Sequence, residues 1–119
     1  MARILVVDDS QTMLAATKKI LEGGGHQVII AMSGEEGVEK ASSEKPELIF
    51  MDLVMPGISG FEATRKITTD PETKDIPVVI LTTKDQETDK VWAKRQGAVD
   101  FIAKPPGPIL LHIIDTLLS

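Results

Sequence analysis

The 119-residue sequence predicts an α/β fold: an open, doubly wound parallel sheet of five short strands with five helices on its two faces. Three observations carry this expectation. Five short runs rich in apolar and β-branched residues recur along the chain, longer stretches with helical spacing separate them, and helix-start and helix-stop residues punctuate the boundaries. Runs of this kind suit a sheet covered on both faces, and right-handed crossovers then wind the chain around it.

The first strand is Arg3–Val7, which ends abruptly on Asp8 and Asp9. Met13, Leu14, Thr17, Ile20 and Leu21 form the one-sided stripe of a first helix that stops at Gly23-Gly24-Gly25. Gln27–Ala31 is the second strand, and Ser33 with Glu36 fits a capping box opening the second helix. Leu48–Met51 is the third strand, followed by the same signature at Ser59 and Glu62. Thr69–Pro77, polar and proline-bounded, reads as the longest connector and a surface loop. Val78–Leu81 is the fourth strand, and the mostly polar segment Asp85–Gly97 is a fourth helix ending at the glycine. Asp100–Ala103 is the fifth strand. Pro108 suits the first turn of a last helix carrying Leu110, Ile113, Ile114 and Leu117.

The length suits one domain over residues 1–119. With no cysteine, disulfides, thiol nucleophiles and thiolate metal sites are excluded. No apolar run has the length of a signal sequence or membrane span, so a soluble cytoplasmic protein without membrane insertion is expected. Thirteen basic residues against 18 acidic ones give a net charge of −5, and the basic residues are scattered, which argues against nucleic acid as a partner.

In sheets of this class, ligands bind outside the carboxyl ends of the strands. There the sequence places Asp8 and Asp9, Asp52, Thr82 and Thr83, and Lys104. Taken singly, Asp9 is equally a helix cap, a role Ser10 could also fill, and Lys104 equally a solvated loop lysine. Three carboxylates on one edge, with oxygen donors only, call for a hard cation such as Mg²⁺, which favours carboxylates together with phosphate oxygens. An ammonium and a hydroxyl beside them suit phosphoryl oxygens, and a carboxylate can be the nucleophile. The set reads as a phosphoryl-transfer site.

The motifs "LVVDDS", "MDLVMPGISG", "ILTT" and "FIAKP" together resemble response-regulator receiver domains of the CheY type, over essentially the whole chain. The resemblance implies a flavodoxin-like sheet with strand order 2-1-3-4-5, an order known for that family and not a product of the spacing above. It further implies Asp52 as phosphoacceptor from a histidine kinase, with Asp9, Asp52 and the Val54 carbonyl binding Mg²⁺ directly and Asp8 acting mainly through water. Thr82 becomes the switch hydroxyl, Lys104 the phosphoryl-contacting lysine, and Phe101 takes the place of the aromatic rotamer switch without the hydroxyl of a tyrosine. The Lys104–Pro105 bond is expected to be cis.

Val54 and Lys84, each two residues past a site residue, are expected to tune phosphate lifetime. Trp92 is read either as a core anchor or as part of a partner surface with Phe101 and Leu111 on the fourth helix, fifth strand and fifth helix. The segment Thr82–Ala98 is similar to PilH-type receivers of type IV pilus twitching-motility systems. That likeness implies a CheA-like kinase as partner, with either the pilus machinery as target or a companion receiver drained of phosphate. The receiver of a longer regulator is an alternative. A haloacid-dehalogenase-type phosphatase is another, although Val54 stands where such enzymes carry a second aspartate.

Overall fold

A computed structural model describes residues 1–119. The elements are β1 (Arg3–Val7), α1 (Gln11–Gly23), β2 (Gln27–Ala31), α2 (Gly34–Glu44), β3 (Leu48–Met51), α3 (Gly60–Thr69), β4 (Val78–Thr82), α4 (Glu87–Arg95), β5 (Asp100–Ala103) and α5 (Ile109–Leu118). All strand pairs are parallel, in the order β2-β1-β3-β4-β5.

Side chains alternate across the sheet with the strand period of two. Leu5, Val7, Ile49, Met51, Val78 and Ile80 pack under α2, α3 and α4, where Ala41, Ala63, Ile67 and Ala93 meet them. Ile4, Val6, Leu48, Phe50, Val79 and Leu81 pack on the opposite face against Leu14 and Leu21 of α1 and Leu110, Ile113 and Ile114 of α5. The core is therefore two layers divided by the strands.

Serines open three of the helices. Ser10 Oγ accepts the Met13 N–H at 3.3 Å, so Ser10 and not Asp9 caps α1. Ser33 and Ser59 likewise accept from Glu36 and Glu62. The reciprocal arms of the two boxes differ from the usual pattern. Glu36 reaches the N–H of Met32, one residue before the cap, and Glu62 turns along its helix to Lys66. At α4 the N-cap, Gln86, makes no side-chain capping bond. The other end of α4 is tied down: Thr68 Oγ1 donates to the Gln96 carbonyl at 2.6 Å, and Gly97 turns the chain at φ +103°.

Three details differ from the sequence reading. β4 extends by one residue to include Thr82, whose carbonyl accepts the Lys104 N–H from the neighbouring strand end. Asp70–Pro77 is no longer than the connector Asp52–Ser59, and it is not wholly superficial. Thr73 within it is buried and donates to the Ile67 carbonyl at 2.7 Å. Leu117 lies in the last turn of α5, at the rim with Val99 and Leu118, and is exposed.

Candidate functional site at the carboxyl edge

The sheet order puts the ends of β1 and β3 side by side, with β4 next to β3. The Asp8 N–H bonds to Ala31 O and the Asp52 N–H to Val7 O, which fixes both backbones at the edge. One carboxylate oxygen from each of Asp8, Asp9 and Asp52 lies within 4.8 Å of the others. Asp8 and Asp52 are buried, while Asp9 faces solvent.

Lys104 comes from the end of β5 and its side chain is only 5 % exposed. Its Nζ lies 2.5 Å from Asp8 Oδ2 and 3.4 Å from Asp52 Oδ2. Asp8 Oδ1 accepts the Ser10 N–H at 2.9 Å, so this carboxylate is satisfied at both oxygens. Asp52 Oδ1, by contrast, is buried without a partner. Burial pushes the Asp52 carboxyl above its ordinary range, and Asp8 adds to that, against the pull of Thr82 and Lys104. Thr82 is fully buried, and its Oγ1 accepts the Lys84 N–H at 3.4 Å. It weighs on Asp52 without making a hydrogen bond of good geometry to it.

Three carboxylates against one ammonium leave the edge with an excess of two negative charges if all ionise. The donor set is all oxygen, one of the oxygens is orphaned, and one acid opens to solvent. These features fit a hard divalent cation.

The loop after β3 is gripped from both sides. The Gly60 N–H bonds to the Leu53 carbonyl, and a Cβ at Gly60 would collide with the Asp52 carbonyl oxygen and come within 2.7 Å of Leu53 Cα. A Cβ at Gly34 would stand 2.9 Å from the Ile58 carbonyl oxygen, and Glu35 Oε2 accepts the Ile58 N–H at 3.2 Å. Within that loop Val54 is 55 % exposed. The Lys104–Pro105 bond is cis.

The expected partner surface is not a single face. Trp92, 53 % exposed, is no core anchor; it lines a groove between α3 and α4 with Phe61, Glu62, Arg65 and Gln96. Arg95 covers its ring at 5.5 Å. Phe101 instead borders Glu87, Lys90, Val91 and Lys94, with Lys90 Nζ 6.0 Å from its ring centre. Leu111 packs against Gly24 at the end of α1. The reason is helical phase: Val91 and Trp92 are adjacent residues on α4 and point to different neighbours. Lys84 turns its Nζ to Asp89, 3.5 Å away on α4. That buried acid and the Glu35 clamp are not legible in the sequence, whereas Ser10 is one of the two caps it offers for the first helix. Asp89 is one acid among several in a polar segment.

A family model for the response regulator receiver domain matches residues 4–114. Protein PilH of Pseudomonas aeruginosa is 59 % identical over 120 aligned residues, covering 100 % of this chain and 99 % of that protein. Response regulator PleD of Caulobacter vibrioides is 37 % identical over 92 % of this chain, which spans only 24 % of PleD. Among solved structures, chemotaxis protein CheY4 of Vibrio cholerae superimposes with a TM-score of 0.91 at 31 % identity, covering 99 % of this chain and 98 % of that one. No helix is long and apolar enough to cross a membrane. The chain belongs to the response regulator receiver domain family, as a CheY-like signalling receiver and not a classical enzyme.

Proposed function

We propose that residues 1–119 act as a single cytoplasmic receiver that takes a phosphoryl group onto Asp52 from the phosphohistidine of a CheA-like kinase. The N–P bond of the donor breaks as a bond forms between phosphorus and an Asp52 carboxylate oxygen. The carrying observation is the convergence of Asp8, Asp9 and Asp52 beside Lys104, with one Asp52 oxygen left unpartnered. Asp9 and Asp52, with the Val54 carbonyl, would hold Mg²⁺ and Asp8 would support it through water. A bound Mg²⁺ supplies positive charge against the phosphoryl oxygens.

Lys104 would pair with a phosphoryl oxygen, and Thr82 would donate its hydroxyl to another, moving the β4–α4 connection in doing so. Phe101 would follow that movement as the aromatic of the switch. Val54 and Lys84 would set how long the phosphate lasts, because both lie two residues beyond the groups that hold it. The likeness to PilH supports a place in type IV pilus twitching motility, with the pilus machinery or a companion receiver downstream.

The test is labelling by a phosphorylated CheA-like kinase in the presence and absence of Mg²⁺. Wild type should gain acid-labile phosphate only with Mg²⁺, and Asp52→Asn should gain none. Equal labelling of Asp52→Asn would overturn the assignment.

A further inference from the structure

One buried acid lies outside the machinery described so far. Asp89 is 8 % exposed and its Oδ2 has no hydrogen-bond partner. Among its ion pairs there is a single contact, Lys84 Nζ at 3.5 Å from Oδ1. A buried carboxylate held by one cation depends strongly on that cation, because removing either partner of such a pair leaves an uncompensated charge. Lys84 is also bound to the switch position, since its backbone N–H donates to Thr82 Oγ1. One residue thus joins the phosphoryl edge, through its backbone, to α4, through its ammonium.

We propose that Asp89 is a positioning residue for the phosphate chemistry: it holds the Lys84 ammonium on α4, away from the phosphoryl group on Asp52, and so keeps that phosphate short-lived. The inference rests on Asp52 being the phosphoacceptor. In hydrolysis the oxygen of water bonds to phosphorus and the Asp52 Oδ–P bond breaks. Its electron pair returns to the carboxylate, and inorganic phosphate leaves while the protons of water pass to phosphate and solvent. The attacking and departing oxygens stand roughly in line, so the water must approach from the open side of the site.

An ammonium resting on the phosphoryl oxygens would stabilise the dianion before the bond breaks, and its four-carbon stem would cover the approach. Lys84 has the charge and the stem for this, and its side chain is 46 % exposed. The competing attraction is Asp89, whose charge is poorly screened because it is buried. Which anion holds Lys84 then decides how easily water reaches phosphorus.

The test measures decay of the phosphoprotein after labelling with acetyl phosphate and Mg²⁺. Asp89→Asn, isosteric and uncharged, should lengthen the lifetime at least threefold, and the same change in a Lys84→Met background should have no effect. A labelled Asp89→Asn that decays at the wild-type rate overturns the proposal, as does an equal lengthening in both backgrounds. Urea unfolding supplies a readout free of phosphate: Lys84→Met should destabilise the wild type but not Asp89→Asn, and equal destabilisation would show that no pair exists. A wild type that takes no phosphate sinks the phosphoacceptor reading itself, and the proposal with it.

Discussion

Lys104 leans on Asp8. Its Nζ is 2.5 Å from Asp8 Oδ2 and 3.4 Å from the nearer oxygen of Asp52, although both carboxylates are buried beside it. The acid that already accepts a backbone N–H also has the shorter ion pair, which leaves Asp52 with the oxygen that has no partner. A single ammonium is therefore the main counter-charge for two buried acids.

Removing it should expose that dependence. We expect Lys104→Ala to lose stability in Mg²⁺-free buffer by on the order of 3 kcal/mol, typical of stripping one partner from a buried pair. That is a large share of the roughly 5–15 kcal/mol holding a domain together. Added Mg²⁺ should then restore more stability to the variant than it adds to the wild type. Urea unfolding with and without Mg²⁺ checks this; an identical Mg²⁺ response would mean that Lys104 and the cation do not share the same acids.

Gly60 offers a second test. A methyl group there would strike the Asp52 carbonyl and the Leu53 backbone, neither of which can swing aside as a side chain could. Gly60→Ala should cost about 1–3 kcal/mol, as overpacking does, and should slow phosphorylation by displacing Asp52. Gly107→Ala is the control, because nothing lies within 4 Å of a Cβ placed there. Thermal melts and labelling rates of the two variants should differ clearly.

Trp92 reports on a different surface. Half exposed in the α3–α4 groove, it should emit as a solvated indole and be quenched by iodide in the resting protein. Trp92→Ala should fold with a loss of less than about 1 kcal/mol, since half of the side chain is exposed and Arg95, itself exposed, stacks on the ring. A blue, unquenchable emission would contradict the groove geometry.

Glu36 carries a pH dependence. The Met32 N–H, then Lys40 at 3.0 Å, hold its carboxyl below the usual value of 4.5. A lowered folded-state pKa gives stability that is fully present above the unfolded-state value and is lost as pH falls through the folded one. We expect a carboxyl titration by NMR to place Glu36 below 4.5, and Glu36→Gln to soften acid unfolding in that lower window. A midpoint at or above 4.5 would rule out the backbone contact.

Much of this was legible because the strands are short, apolar and bounded by polar or turn-forming residues. Once Arg3–Val7 and Leu48–Met51 are strands of a parallel sheet, the acids that follow them must share an edge. Thr82 and Lys104 were placed by the same reasoning. What could not be read was the phase of α4, whose buried residues are only Asp89 and Ala93. A helix so polar gives no stripe to show which side Trp92 takes. Leu117 misled for the opposite reason: α5 is apolar over most of its length, and sequence does not show where the sheet beneath it ends.

The uneven anchoring of α4 makes it a lever. Its carboxyl end is the fulcrum, bound at Gln96 by Thr68 and fitted closely at Gly97, whereas its amino end has no side-chain capping bond and hangs on Lys84 and Asp89. The arm is about 13 Å long, from nine residues at 1.5 Å each, so a tilt of ~10° would swing its tip by ~2 Å while the fulcrum stays still. A ligand gripping Glu87 would feel the full stroke, and one at Lys90 or Val91 roughly half to two-thirds of it. One resting in the groove at Gln96 would feel almost none.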